Sequence, residues 1–165
     1  LAMSSAASDV YKRQEEYGLT VGIHAHAAGF MDFEPELERL LSEVDENILK
    51  ICFDTGHHSY AGFDPVKFMQ KYMSRISYMH FKDINPKVKQ NVIENRTGFY
   101  DACGQGIFCN LGDGDVDFST VRKILLANSF EGWCTVEQDC DPLLDPNPLS
   151  DAKLNREYLE AIGFS

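Results

Sequence analysis

Apolar residues along this chain come in short bursts, and each burst halts at a charged or imidazole side chain. Leu19-Thr20-Val21-Gly22-Ile23 is a β-type run that ends in His24-Ala25-His26, with Ala27-Ala28-Gly29 as the turn beyond it. Alternation puts His24 and His26 on one strand face. Pro35 opens a helix in which Leu37, Leu40, Leu41 and Val44 fall at i, i+3, i+4 and i+7, an apolar stripe on one side. Ile48 to Phe53 is nearly continuous in apolar residues, as expected of a strand buried on both faces of a parallel sheet, and it stops at Asp54-Thr55-Gly56-His57. Asp64-Pro65 predicts an N-cap and first helical position, with Val66, Met69 and Met73 on the apolar side. The next strand, Ile76 to Phe81, carries His80 at its end.

Beyond Asp83 the alternation breaks into a polar stretch, Asn85 to Asp115, that reads as a long loop of the functional or mobile class. Its glycines Gly104, Gly106, Gly112 and Gly114 lack the strand and helix that a phosphate fingerprint needs, so they read as loop flexibility. Asp117 caps a helix with Val121, Ile124 and Leu125 inward. Gly132 to Val136 is a last strand ending in Glu137, and Leu154, Tyr158, Leu159 and Ile162 mark a closing helix.

The strand ends recur at βα-unit spacing, with 30 positions from His24 to Asp54 and 26 from Asp54 to His80. Four such units make half of an eightfold barrel, whose whole takes roughly 250 residues. The fold expected is α/β, the C-terminal half (last four βα units) of a (β/α)8 TIM barrel, with an open parallel sheet as the other arrangement. Residues 1–17 read as a disordered or non-native tail, residues 1–14 being small, polar and aperiodic. The domain then runs over residues 18–165.

Composition narrows the partners. With 44% hydrophobic and 12% aromatic residues, the 165-residue chain can bury one packed core. A formal net charge of -11 removes the electrostatic footing for nucleic acid or an anionic membrane. The five cysteines contain no C-x-x-C pair, which speaks against a zinc ribbon or a disulfide framework and for a reduced, cytoplasmic setting. No apolar run approaches a membrane span, and residues 1–14 lack the apolar centre of a secretory signal. A soluble protein taking a small polar substrate is expected, and a homo-oligomer is compatible with it.

Side chains at the carboxyl ends of parallel strands face the site in such folds. Here those are His24, Asp54, His80 and Glu137, a mixed nitrogen and oxygen set suited to Mn²⁺, Co²⁺, Fe²⁺, Mg²⁺ or Zn²⁺. Taken singly, Asp54 reads equally as a helix cap, His80 as a hydrogen-bonded core histidine and Glu137 as an ion-pair partner. Taken together, acids that end apolar strands call for compensating charge, which a cation supplies. His57, across a glycine turn from Asp54, reaches the same pocket as acid, base or substrate donor. His58 faces away. Lys82 shares the His80 face, or is a solvated loop lysine. Asp139 stands to Glu137 as Lys82 does to His80, or belongs with Asp141 and Asp145 to an acidic surface.

Four segments considered jointly carry a resemblance: Phe53-Asp54-Thr55-Gly56-His57, His80-Phe81-Lys82-Asp83, Gly112-Asp113-Gly114-Asp115-Val116-Asp117-Phe118 and Gly132-Trp133-Cys134-Thr135-Val136-Glu137-Gln138-Asp139. The set resembles the xylose isomerase-like TIM-barrel superfamily, most nearly its inosose dehydratase branch, over roughly residues 18–163, with the tail outside it. The resemblance implies a divalent metal, Mn²⁺ or Co²⁺ first among the candidates, on Asp54, His80 and Glu137. His24-Ala25-His26 stands where isomerases and epimerases of the superfamily commonly have a Glu. It also implies dehydration of a keto-polyol of the 2-keto-myo-inositol type. The α-proton leaves to Lys82 or His57 with a metal-stabilised enediolate, the other of the pair or His26 protonates the departing hydroxyl, and Asp139 joins Lys82 and His57 in holding substrate. The alternatives are a sugar or sugar-acid isomerase or epimerase on the same barrel, a non-catalytic module, and an inactive truncated fragment. An abasic-site endonuclease, which shares the barrel, is disfavoured by the acidic charge.

Overall fold

The computed structural model describes residues 9, 12–29, 31–140, 143 and 147–164. Four parallel strands form the main sheet in the order β1 (Gly22–His24), β2 (Lys50–Asp54), β3 (Ile76–Phe81) and β6 (Trp133–Val136). Helices α1 (Glu34–Glu43), α2 (Thr55–Tyr60), α3 (Pro65–Tyr72), α6 (Phe118–Ala127) and α7 (Pro148–Ala161) connect or follow them. This is the expected α/β arrangement of successive parallel βα units. Residues 12–17, inside the segment expected as a tail, are helical.

Local chemistry sets the helix starts. Asp64 accepts from the N–H groups of Val66 and Lys67, with Pro65 at the first helical position of α3, and Asp117 accepts from Thr120 N–H to open α6. The apolar stripes of these helices close over one face of the sheet. Leu37 and Leu41 of α1, Phe68 and Met69 of α3, and Val121 and Leu125 of α6 bury Ile51, Phe53, Met79 and Phe81. Phe53 and Phe68 stack with ring centroids 4.9 Å apart.

The second face of the sheet departs from expectation. Ile48 to Phe53 predicted burial on both sides, yet Cys52 and Tyr78 are half-buried and Thr135 exposed, and Trp133 is 79% exposed. Four strands curve around only part of what would be a barrel interior, so the side chains that a closed barrel would bury keep contact with solvent.

The stretch Asn85 to Asp115 is the larger correction. It is no featureless loop: β4 (Asp83–Ile84), α4 (Pro86–Asn95), α5 (Phe99–Gly104) and β5 (Phe108–Cys109) fill it, with β4 and β5 pairing antiparallel. Asn85 caps α4 by accepting from Lys87 and Val88 N–H, Pro86 takes the first helical position, and Arg96 ends the helix at φ 52°. Only Val92 of α4 is fully buried, so the helix gives the core little apolar surface. In α7 the expected stripe also shifts, since Leu154 is 49% exposed while Asn155 is buried and accepts from Leu111 N–H at 2.7 Å.

The glycines near residue 112 are not slack. Asp83 is buried, and its carboxylate accepts from the N–H groups of Ile84, Gly112, Gly114 and Val116 at 2.8–3.1 Å. Burial pushes this carboxyl up while the four donors pull it down. Gly112 sits at φ 90°, and a Cβ on Gly114 would overlap Asp83 Oδ1. The loop is thereby tied to the end of β3.

His58 illustrates the helix layer. Its ring lies among Phe53, Phe63 and Phe68, and its Nε2 donates to Glu34 Oε2 at 3.0 Å, so it faces away from the strand ends as expected. Burial pushes the imidazole down to about 4.

Two outcomes follow. Gly114→Ala should lower the urea stability by about 1–3 kcal/mol, the usual cost of overpacking, and an unchanged midpoint would contradict the Asp83 cradle. His58 stays neutral when folded but protonates near pH 6.5 when unfolded. The unfolded chain then binds more protons, so its contribution is complete above about pH 6.5 and is lost as pH falls toward 4. Urea titrations across that window should show a shallower pH slope in His58→Gln than in the wild type.

Candidate metal centre

The register of the sheet assembles the site. Asp54 of β2 lies directly beside His80 of β3, His24 ends β1 two positions short of Asp54, and Glu137 follows β6 with its N–H on Phe81 O at 3.0 Å. Period-2 alternation sends the four side chains to the half-open face.

One atom from each converges. His24 Nε2 and His80 Nδ1 stand 3.6 and 3.5 Å from Asp54 Oδ2, and His80 Nδ1 also meets Glu137 Oε2. His24 Nε2, Asp54 Oδ2, His80 Nδ1 and Glu137 Oε2 are all buried, and none has a hydrogen-bond partner. Stranding four polar atoms costs about 1–3 kcal/mol each unless something satisfies them together. Their ligand atoms lie within 4.8 Å of one another. Two imidazole nitrogens and two carboxylate oxygens fit a divalent cation, with no thiolate in the set. All four sequence-derived ligands are therefore brought together.

Asp54 is both the helix cap of its first reading and a member of the cluster. Oδ1 accepts from His57 N–H at 2.8 Å and caps α2, while Oδ2 is left for the cluster. Burial works to raise this carboxyl, but the contacts with His24 and His80 and the charge of Lys82 outweigh it and hold Asp54 well below the usual carboxylate range. The contact with Asp54 in turn raises His80 against the effect of burial.

The rest of the Asp54-Thr55-Gly56-His57 turn receives Lys82. Thr55 Oγ1 donates to Lys82 O at 2.7 Å and accepts from Lys82 N–H at 3.1 Å. Gly56 is required because a Cβ there would come within 2.5 Å of Lys82 Cγ. Lys82 is only 1% exposed, so the solvated reading is wrong. Its Nζ donates to His57 Nε2 at 3.0 Å and Asp139 Oδ2 at 2.9 Å, lies 3.3 Å from both Asp54 Oδ2 and Glu137 Oε1, and sits 5.0 Å from the Phe108 ring centroid. Burial disfavours the ammonium, yet Asp54, Asp139 and Glu137 more than compensate and raise its pKa. His57 is 2% exposed, and burial pushes it down to about 3, so it is neutral.

His26 also joins the site. Its ring lies 3.8 Å from the His57 ring, and its Nδ1 donates to Ala27 O at 2.7 Å, which leaves the lone pair on Nε2. Asp139 is in place as expected, whereas Asp141 and Asp145 lie outside the described residues. Sequence reading missed Asp83 and Thr55, which position Lys82 and its loop. The only sequence signal for them was a polar residue adjoining each strand end. None of the five cysteines is joined in a disulfide. Among the described residues no helix is long and apolar enough to cross a membrane.

Equilibrium dialysis of this chain against Mn²⁺ or Co²⁺ should leave one tightly held ion, and Asp54→Ala or Glu137→Ala should each abolish retention. Unchanged metal content in both variants would remove the site.

Comparison with known proteins agrees with the geometry. The family described as xylose isomerase-like TIM barrel matches residues 3–162, a wider span than the expected 18–163 and one that takes in most of the segment read as a tail. A curated inosose dehydratase of Clostridium botulinum (strain Alaska E43 / Type E3) is 36% identical over 143 residues, covering 87% of this chain and 48% of the relative. The chain thus spans about half the length of the curated relatives it matches. Among solved structures, the probable 3-DHS dehydratase AsbF of Bacillus anthracis superposes with a TM-score of 0.69 at 22% identity, over 93% of this chain and 55% of that one. The IolI protein, solved with a zinc atom, gives 0.64 at 15% identity over 92% and 52%. The four parallel strands, the carboxyl-end cluster and the matched span together establish that the chain belongs to the xylose isomerase-like TIM-barrel family.

Proposed function

We propose that this chain carries the metal-binding and proton-transfer residues of a cytoplasmic carbon–oxygen lyase that dehydrates a keto-polyol of the 2-keto-myo-inositol type. The observation that carries this reading is the Lys82–His57 pair, 3.0 Å apart and set directly against Asp54 Oδ2 of the four-ligand cluster. A proton donor and a neutral base beside a cation site are what α-proton removal with loss of a β-hydroxyl requires. The relatives named inosose dehydratase supply the substrate class, and the zinc in IolI supports a divalent metal.

His24, Asp54, His80 and Glu137 would hold the cation, which when bound supplies Lewis-acid charge where the substrate's carbonyl oxygen turns negative. The protein's own groups divide the proton work by their resting states. As Lys82 Nζ turns from His57 Nε2 to the departing hydroxyl, the freed Nε2 of the neutral His57 takes the proton from the carbon next to the carbonyl. Lys82, held as an ammonium by Asp54 and Asp139, gives a proton to the departing hydroxyl, which leaves as water. His57 then returns its proton to Lys82 across the 3.0 Å contact, so both groups end as they began. Asp139 and His26 line the same pocket and orient the substrate hydroxyls.

The test is a metal-loaded protein that includes the whole barrel, given 2-keto-myo-inositol. An ultraviolet-absorbing dione should accumulate, and Lys82→Met and His57→Asn should each lower kcat by about 10²–10⁴-fold, the typical worth of a positioned acid or base, with metal retained. An isomerised ketose without the dione would assign the chain to the isomerase or epimerase chemistry instead.

A further inference from the structure

Next to the four-ligand cluster lies a second group, His26, His57 and Asp139, whose ligand atoms also fall within 4.8 Å of one another. Two of its three members already hold a cation, since Lys82 Nζ contacts His57 Nε2 at 3.0 Å and Asp139 Oδ2 at 2.9 Å. We propose that Lys82 Nζ is a built-in occupant of a second cation position, and that removing it opens this position to a divalent metal held by His26, His57 and Asp139.

Three observations carry this. The two positions share carboxylates: Asp54 Oδ2 faces both the cluster and Nζ at 3.3 Å, while Glu137 turns Oε2 to His80 and Oε1 to Nζ at 3.3 Å. Carboxylates that serve two cations are the framework of two-metal centres, whose ions sit about 3.5–4 Å apart. An ammonium has three N–H groups, yet His57, Asp139, Asp54 and Glu137 offer Nζ four acceptors, a surplus suited to a metal's larger coordination number. Finally, the imidazoles are prepared as ligands. The hydrogen bond from His26 Nδ1 to Ala27 O leaves Nε2 as the ring nitrogen open to a metal, the outer support typical of a metal-bound histidine. His57, 2% exposed, accepts through Nε2, and its Nδ1 has no hydrogen-bond partner. The proposal rests on the metal-centre reading for its shared carboxylates and not on the dehydratase chemistry.

Lys82→Met is the informative variant, because methionine fills the buried stem beside Phe108 but ends one atom short of Nζ. Lys82→Ala is the second, and removes the stem as well. The 165-residue chain and both variants would be dialysed against Mn²⁺ or Zn²⁺ and their metal content measured by emission spectroscopy. The bound metal per chain should rise by one in each variant, from one to two, and return to the wild-type value in Lys82→Met/His57→Asn/Asp139→Asn. No rise in either variant overturns the proposal. If the first centre were misread, the wild type would hold none and Lys82→Met would hold one, so the two failures are distinct. Mn²⁺-loaded Lys82→Met should also replace the six-line electron paramagnetic resonance spectrum of an isolated ion with an exchange-coupled one. Two uncoupled ions would contradict the shared carboxylates.

Discussion

A carboxylate buried at the end of an apolar strand has to be met by positive charge, and the site is arranged around that demand at Asp54. With the residue 3% exposed, water supplies almost none of the compensation. One oxygen is satisfied by the first turn of α2, and the other looks at three imidazoles and an ammonium. Removing any one of these partners would leave a buried charge short of compensation, which is the costly way to break such a group. Thr55, Gly56 and the Asp83 cradle matter because they bring Lys82 to that oxygen and hold the chain beyond it.

Charge also explains the division of labour along His80-Phe81-Lys82-Asp83. Strand alternation places His80 and Lys82 on the site face, and Phe81 and Asp83 on the opposite one. Phe81 packs against Phe118 and Phe164, while Asp83 gathers the N–H groups of the loop over residues 112–116. Four consecutive residues thus set a member of the imidazole–carboxylate cluster, a core contact, a buried ammonium and a loop anchor. The site is coupled to the core through the backbone of a single strand end.

Most of the site was legible in the sequence because its residues end strands, and strand ends are marked by an abrupt change from apolar to polar. The positions of β2, β3 and β6, and the caps Asp64 and Asp117, follow from that pattern and from local turn chemistry. What was not legible depends on tertiary packing. Helix α4 carries one buried residue, Leu154 turns outward while Asn155 is buried where it accepts from Leu111 N–H, and the half-open sheet face reflects how many strands are present. Gly112 and Gly114 looked like slack until Asp83 was seen against them.

The central claim is that His24, Asp54, His80 and Glu137 form one nitrogen and oxygen cation site. X-ray absorption on the zinc-loaded chain tests it most directly. The account predicts a first shell of light atoms at about 2.0–2.2 Å with outer-shell scattering from two imidazoles. A sulfur scatterer, or the signature of fewer than two imidazoles, would contradict it.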